Sequence, residues 1–303
     1  MSGGVAIVGV GGLGCPAALA LARLGVMRVG LFDPDLVEPS NLPRQILFRE
    51  ADIGRPKCAV AAERLRELAP GCEVVAQQAR LQEGNQSLLE GWSIWLDGTD
   101  SLPQKLWLND VALRQGVTLI HGGAVRLGGQ VLAVVPGRGP CLRCLLEGAD
   151  QVDGAEASCR QAGILGPVVG ALGSFMALLA ARALRGDDVA GELLSFDAQR
   201  GELRQRKFSC RPGCSCARSS HRTDLEADVT GDVCPMTFVR ARLALERLPS
   251  GGRLGVLLRG SEPLANLPRS FADEGHRVLA IEPREGGRHW LLVERAANAA
   301  QKT

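Results

Sequence analysis

Val5-Ala6-Ile7-Val8-Gly9-Val10-Gly11-Gly12-Leu13-Gly14-Cys15-Pro16 decides how the rest of the chain is read. Val5 to Val8 is a short apolar run of the kind that forms a buried strand. Gly9, Gly11 and Gly14 complete the pattern G-x-G-x-x-G, with Gly12 as an additional glycine inside it, and Pro16 to Leu24 reads as a helix. Glycines so placed permit a tight turn, let phosphates approach the backbone, and bring helix and strand close together. The helix start then offers unpaired N–H groups to an anion. Arg28 to Phe32 is the next strand and closes on Asp33, nineteen residues beyond Gly14, where an acid hydrogen-bonds ribose hydroxyls. Taken alone, this is equally the fingerprint of an NAD-dependent oxidoreductase.

The alternation continues outward. Lys57 to Leu68 has helical periodicity, Glu73 to Ala76 and Ser93 to Leu96 are strand-like, and Leu106 to Gln115 is a helix. Thr118 to Ile120 and Gln130 to Val135 complete the set. Strands alternating with helices imply an α/β fold, a Rossmann-like doubly wound parallel sheet with helices on both faces. After Leu225 a second unit begins, with helices from Met236 to Leu248 and Leu264 to Gly275. Its strands are Leu254 to Leu258, Val278 to Ile281 and Trp290 to Val293, which with a strand near Val229 gives a small β-α-β-α-β-β two-layer sandwich. Between them, Arg200 to Arg222 holds seven Lys and Arg against one acid, and Asp224 to Asp232 holds four acids and no base. A zinc-binding segment and a linker are expected there, with domains at 1–222 and 223–303.

Bulk properties narrow the field. A 46% hydrophobic fraction and 22% charged fraction belong to a globular chain with a core, and a net charge of +2 asks for no nucleic acid. The apolar N-terminus lacks a basic start and a cleavage pattern, so no signal peptide is expected. Ala162 to Ala181 runs without a charge, but its glycines and alanines suit a buried helix better than a membrane span. A cytoplasmic location is expected, where the ten cysteines stay reduced. Cys15, Cys58 and Cys72 read as small buried hydrophobes.

The residues after Asp33 depart from a dinucleotide site. Asn41-Leu42-Pro43-Arg44-Gln45 and Gly54-Arg55-Pro56-Lys57 set amides and cations beside the glycine loop. A triphosphate needs such a cluster, because its charge grows as a phosphoryl bond breaks. Asp97-Gly98-Thr99-Asp100 follows a central strand, where open sheets bind ligands, and a carboxylate there suits Mg²⁺.

These motifs, in this order, resemble the MoeB/ThiF family, relatives of the ubiquitin-activating enzymes, from about Val5 to Cys216. The resemblance implies ATP-dependent adenylation of the C-terminal glycine of a ubiquitin-like sulfur carrier ending in Gly-Gly, with pyrophosphate leaving. It implies that Asp33 holds the ribose, that Asn41, Arg44 and Lys57 hold the phosphates, and that Asp100 holds Mg²⁺. It also implies a homodimer and a sulfur donor such as a cysteine desulfurase or a rhodanese. Members carry an N-terminal helix whose Arg reaches the partner's ATP; with a strand starting at Val5, that helix is expected to be missing here.

Cysteine spacing supplies the remaining chemistry. Cys141-Leu142-Arg143-Cys144 followed by a later cysteine pair is a way to build a tetrahedral thiolate site for Zn²⁺. The family's second pair is C-x-x-C; here it is Cys214-Ser215-Cys216, with Cys210 as the substitute. Cys159 aligns with the family's reactive cysteine, and Arg160 beside it favours a thiolate. Cys234-Pro235-Met236-Thr237 opens a helix, where the dipole lowers a thiol's pKa. That unit, about Leu225 to Arg295, resembles the TusA sulfur-relay family, with Thr237 in place of a second proline. The resemblance makes Cys234 a persulfide carrier. Adenylation coupled to thiocarboxylate formation is the expectation; the alternative is a catalytically weak or inactive scaffold that only relays sulfur.

Overall fold

The computed structural model describes residues 3–146, 163–211, 214, 216, 223–232 and 236–296. They belong to two compact units, Met1–Ser220 and His221–Thr303.

The first unit contains β1 (Gly4–Val8), α1 (Gly14–Arg23), β2 (Arg28–Phe32), α2 (Lys57–Leu68), β3 (Glu73–Gln77), β4 (Ile94–Asp97) and α3 (Leu102–Gln115). It continues with β5 (Thr118–Val125), β6 (Gly128–Val134), α4 (Leu142–Leu146), α5 (Gly166–Leu184), β7 (Glu192–Asp197) and β8 (Glu202–Lys207). The sheet order is β3-β2-β1-β4-β5-β6-β7-β8. β3, β2, β1, β4 and β5 pair in parallel. From β5 onward each pair is antiparallel. The doubly wound part is therefore as expected, and a meander extends it. β7 and β8 escape the sequence reading: β8 is a largely exposed edge strand, Glu202-Leu203-Arg204-Gln205-Arg206-Lys207. Its charges hide the strand pattern while they discourage edge-to-edge pairing.

Successive side chains of a strand point to opposite faces. Val5 and Ile7 of β1, Ile94 and Leu96 of β4 and Ile120 of β5 enter one core, with residues of α1, α2 and α5. Ala6, Val8, Trp95 and Leu119 enter the other, with residues of α3 and the cysteine cluster. α3 starts four residues earlier than periodicity suggested. Its first turn tolerates Pro103, whose missing N–H has no intrahelical acceptor there. α5 is long and apolar enough to cross a membrane. Here it buries Val168, Val169, Leu172, Met176, Ala177 and Ala180 in the first core, packed along α1.

The second unit contains β9 (Leu225–Asp228), α6 (Met236–Glu246), β10 (Arg253–Arg259), α7 (Ser261–Asp273), β11 (Arg277–Arg284) and β12 (Arg288–Glu294). The sheet order is β11-β12-β10-β9, with only β9 and β10 parallel. Leu254, Val256 and Leu258 of β10 and Leu291 and Val293 of β12 meet Ala241, Leu245, Leu267 and Phe271 of the helices. The result is the expected two-layer sandwich.

Candidate functional site

β1 continues through α1 to β2 on one side, whereas β4 lies on the other side of β1. Loops that leave β1 and β4 therefore part at a switch point, the place where open α/β sheets bind ligands. Gly9 has φ +91°, and a Cβ on it would lie 2.9 Å from the carbonyl of Gly98. A Cβ on Gly14 would run into the carbonyl oxygen of Gly9. The two loops thus touch backbone to backbone, and α1 starts against the end of β1. Gly12 lies under Val169 of α5, at 3.1 Å from a Cβ position. Gly11 alone faces open space, apart from the side-chain amide of Gln45 at 3.7 Å.

Asp33 is buried at the end of β2. Its Oδ2 accepts the Val10 N–H at 2.7 Å, and its Oδ1 accepts the Asp35 N–H at 2.9 Å. The acid thereby clamps the glycine loop and keeps further lone pairs for a ligand hydroxyl. Burial pushes the Asp33 carboxyl up, against the pull of the Asp35 N–H, the Lys57 ammonium and the Val10 N–H. Lys57, at the start of α2, is also buried, and its Nζ sits 3.0 Å from Asp35 Oδ2. A cation is thus held next to the acid that faces the loop.

Asn41, Arg44 and Gln45 lie on one turn. Asn41 Oδ1 accepts the Glu38 N–H at 3.1 Å, and Arg44 Nη1 donates to the Ser40 carbonyl at 2.5 Å. Gln45 is buried, and its Oε1 has no hydrogen-bond partner among the described residues. An unpaired buried polar group costs about 1–3 kcal/mol. That orphan oxygen is an acceptor and fits a donor, such as a ligand hydroxyl, while the Nε2 of the same amide is the donor that faces the open Gly11. The turn packs against the start of α5, where a Cβ on Gly166 would sit 2.6 Å from the Pro43 carbonyl.

The far side of the switch point holds the quoted Asp97 motif together with Lys105 and His121, which the sequence reading passed over. Asp97, the last residue of β4, is fully buried. Its Oδ1 accepts the Thr99 N–H at 3.0 Å and the Thr99 hydroxyl at 2.7 Å, and its Oδ2 pairs with His121 Nδ1 at 2.8 Å. Lys105 of α3 places Nζ 3.7 Å from the same oxygen and donates to the Gly122 carbonyl at 2.7 Å. Burial acts to raise the Asp97 pKa, but Lys105, His121 and Thr99 outweigh it and hold the carboxyl well below the usual range. Burial and Lys105 lower the His121 pKa, against Asp97. The Asp-x-Thr spacing signals this turn in the sequence. Nothing local links Lys105 and His121 to it, since helix and strand packing alone brings them together. Asp100, by contrast, is exposed on the loop that Asp97 anchors.

The second core ends in thiols. The sulfurs of Cys141, Cys144, Cys214 and Cys216 all lie within 4.8 Å of one another, and all four residues are buried. Cys141 and Cys214 are 3.6 Å apart, and Cys144 and Cys216 are 3.2 Å apart. Four sulfurs at about 2.3 Å from one zinc ion are about 3.8 Å from each other, so a small expansion accommodates the ion. Among the described residues no carboxylate or imidazole belongs to the group, as suits a closed, structural site. A hydrogen bond from Cys216 pulls the Cys141 thiol down to about 5. Cys210 stands beside the four, half-buried. Burial instead pushes the Cys15 thiol up to about 12 and raises Cys58 and Cys72, which are packing residues. Cys159 and Cys234 lie outside the described residues.

Residues 2–216 match the model of the ThiF family. The chain belongs to the ThiF family. Residues 226–295 match that of sulfurtransferase TusA, so the ThiF domain is followed by a TusA domain. Adenylyltransferase and sulfurtransferase MOCS3 of Drosophila yakuba is 39% identical over 214 residues, 69% of this chain and 47% of that protein. The chain thus spans about half the length of this relative. Sulfur carrier protein ThiS adenylyltransferase of Escherichia coli (strain K12) is 39% identical over 220 residues, 72% of this chain and 86% of that one. Escherichia coli MccB, crystallised with ATP, shares the ThiF-family fold with a TM-score of 0.62 at 21% identity, over 71% of this chain and 66% of that chain.

Proposed function

We propose that the ThiF domain adenylates the C-terminal glycine of a ubiquitin-like sulfur-carrier protein with ATP, and that Cys234 of the TusA domain supplies sulfur to the product. The observation that carries this reading is the open Gly11, faced by the Gln45 Nε2 donor, within a loop that Asp33 clamps, in a chain that continues into a TusA domain. The names of the adenylyltransferase relatives support it.

In this reading the N–H groups of Gly11 to Gly14 face the phosphates, Asp33 takes the ribose hydroxyls, and Asn41, Arg44, Gln45 and Lys57 face the phosphate oxygens. A carrier carboxylate oxygen attacks the α-phosphorus, and the bond to pyrophosphate breaks. Arg44 and Lys57 stabilise the charge that leaves with it. Asp100 is the ligand for Mg²⁺, which when bound neutralises phosphate charge. Cys141, Cys144, Cys214 and Cys216 hold Zn²⁺ as a structural ion. The terminal sulfur of a Cys234 persulfide then attacks the acyl carbon and AMP leaves. A second thiol, for which Cys159 is the candidate, attacks the Cys234 sulfur of the resulting acyl disulfide; the thiocarboxylate leaves, and the Cys159–Cys234 disulfide that forms is returned to thiols by a dithiol reductant. The persulfide comes from a cysteine desulfurase or a rhodanese. The protein acts as a homodimer in the cytoplasm, a setting that agrees with eight free cysteines among the described residues.

The test is Cys234→Ala in the full chain, with carrier, ATP and a persulfide donor, read by mass spectrometry of the carrier. Adenylate should form at the wild-type rate while thiocarboxylate is lost. An undiminished thiocarboxylate yield would remove Cys234 from the reaction.

A further inference from the structure

We propose that Lys105 and His121 are positioning residues for adenylation: acting through Asp97, they fix the loop that carries Asp100 against the glycine loop. The proposal rests on the adenylation reading above and concerns two buried side chains to which that reading gives no task. Asp97 Oδ1 accepts from the Thr99 N–H and hydroxyl, so it shapes the loop directly. Its Oδ2 faces His121 Nδ1 at 2.8 Å and Lys105 Nζ at 3.7 Å. An ionised carboxylate only accepts, so the imidazole carries its hydrogen on Nδ1 and donates. Lys105 also donates to the Gly122 carbonyl at 2.7 Å, and so ties α3 and the end of β4 to β5. One carboxylate thus joins the loop to a helix and to a neighbouring strand.

The loop held in this way is in backbone contact with the glycine loop. The Gly98 N–H donates to the Val8 carbonyl at 2.8 Å, and a Cβ on Gly98 would lie 3.0 Å from the Gly9 oxygen and 3.3 Å from the Gly14 nitrogen. No side chain cushions that contact, so a shift of Asp97 passes directly to Gly98, Thr99 and Asp100. Stability alone is a poor account of the cluster. Lys105 is buried one turn into α3, near the positive end of the helix dipole, where a cation is disfavoured. Desolvating a lysine and an aspartate costs free energy, and well-packed apolar residues of similar volume are often equally stable in place of such a pair. Local rules broken without a local gain are what functional sites show. Here the gain is geometric: Asp100 is held at a fixed distance from the glycine loop by groups outside that loop.

The experiment compares wild type, Lys105→Met, His121→Leu and Lys105→Arg in the full chain by two readouts. One is ATP–pyrophosphate exchange at varied ATP with a carrier ending in Gly-Gly. The other is hydrogen–deuterium exchange, without ligands, of the peptide that contains Thr99 and Asp100. In Lys105→Met, kcat should fall by about 10²-fold, as expected of a displacement of about 1 Å at the reacting centre, while KM for ATP stays at the wild-type value. The Thr99 and Asp100 amides should lose protection, because the turn opens more readily. Lys105→Arg restores the cation and should recover both kcat and protection. An unchanged kcat in folded Lys105→Met overturns the proposal, as does a lost kcat with loop protection intact. A raised KM for ATP at unchanged kcat also overturns it, since Lys105 would then act by binding nucleotide. Should Lys105→Met fail to fold, His121→Leu decides by the same readouts, because it leaves Lys105 beside Asp97. Folded wild type that shows no exchange would refute the adenylation reading and the proposal with it, whereas full exchange in wild type and variants alike sinks the proposal alone.

Discussion

Asp97 and Asp100 are three residues apart at one strand end, and their environments are opposite. Asp97 is fully buried, with His121, Lys105 and the Thr99 turn around it, while Asp100 faces solvent on the loop that this turn shapes. The sequence exposes the motif, yet it draws attention to Asp100 and hides the anchor, because Lys105 and His121 reach Asp97 only through the packing of α3 and β5. Asp97 and His121 both have depressed pKa values in the folded protein. Each therefore contributes stability that is complete above its unfolded-state pKa, and that is lost as pH falls through the folded one. For His121 the loss begins below about 6.5, its ordinary value; for Asp97 it begins only below about 3.9. Asp33, with a raised pKa, acts in the opposite sense and regains stability on acidification. Urea melts between pH 7 and pH 5 should show stability falling with acid, and His121→Gln should flatten that slope. A slope identical in wild type and variant would exclude His121 as its source.

At the scale of elements, α5 was legible and its role was not. Its apolar run and glycines told against a membrane span, but the use of Gly173 emerges only from packing. A Cβ there would run into the carbonyl oxygen of Leu13, within the glycine loop, and into the ring of Pro16. α5 thus crosses the start of α1 at backbone contact and supports the glycine loop from behind. Gly173→Val should cost about 1–3 kcal/mol through overpacking, and it should weaken ATP binding by displacing Leu13. Urea denaturation and nucleotide titration measure the two effects, and full stability with unchanged affinity would contradict the contact. β7 and β8 were illegible for another reason. An edge strand is half solvated, so Arg204, Arg206 and Lys207 read as a basic loop instead of as one rail of a ladder.

For the whole molecule, the chain is a ThiF domain followed by a TusA domain, and glycine and cysteine spacings announced both. The G-x-G-G-x-G loop and the C-x-x-C pair are legible because tight turns and metal sites constrain residue identity over short distances. The meeting of Cys141 with Cys214 is not local, since the fold must bring the two together across more than the intervening α5. The central claim is that the switch-point site activates a carrier carboxylate with ATP. ATP–pyrophosphate exchange, with a candidate carrier ending in Gly-Gly and with Asp100→Ala as the comparison, tests it most directly. Exchange should require the carrier and fall by about 10²–10³ in Asp100→Ala, the effect of removing one electrostatic stabiliser of the transition state. Folded protein that shows no exchange with any such carrier, or exchange that is undiminished in Asp100→Ala, would contradict it.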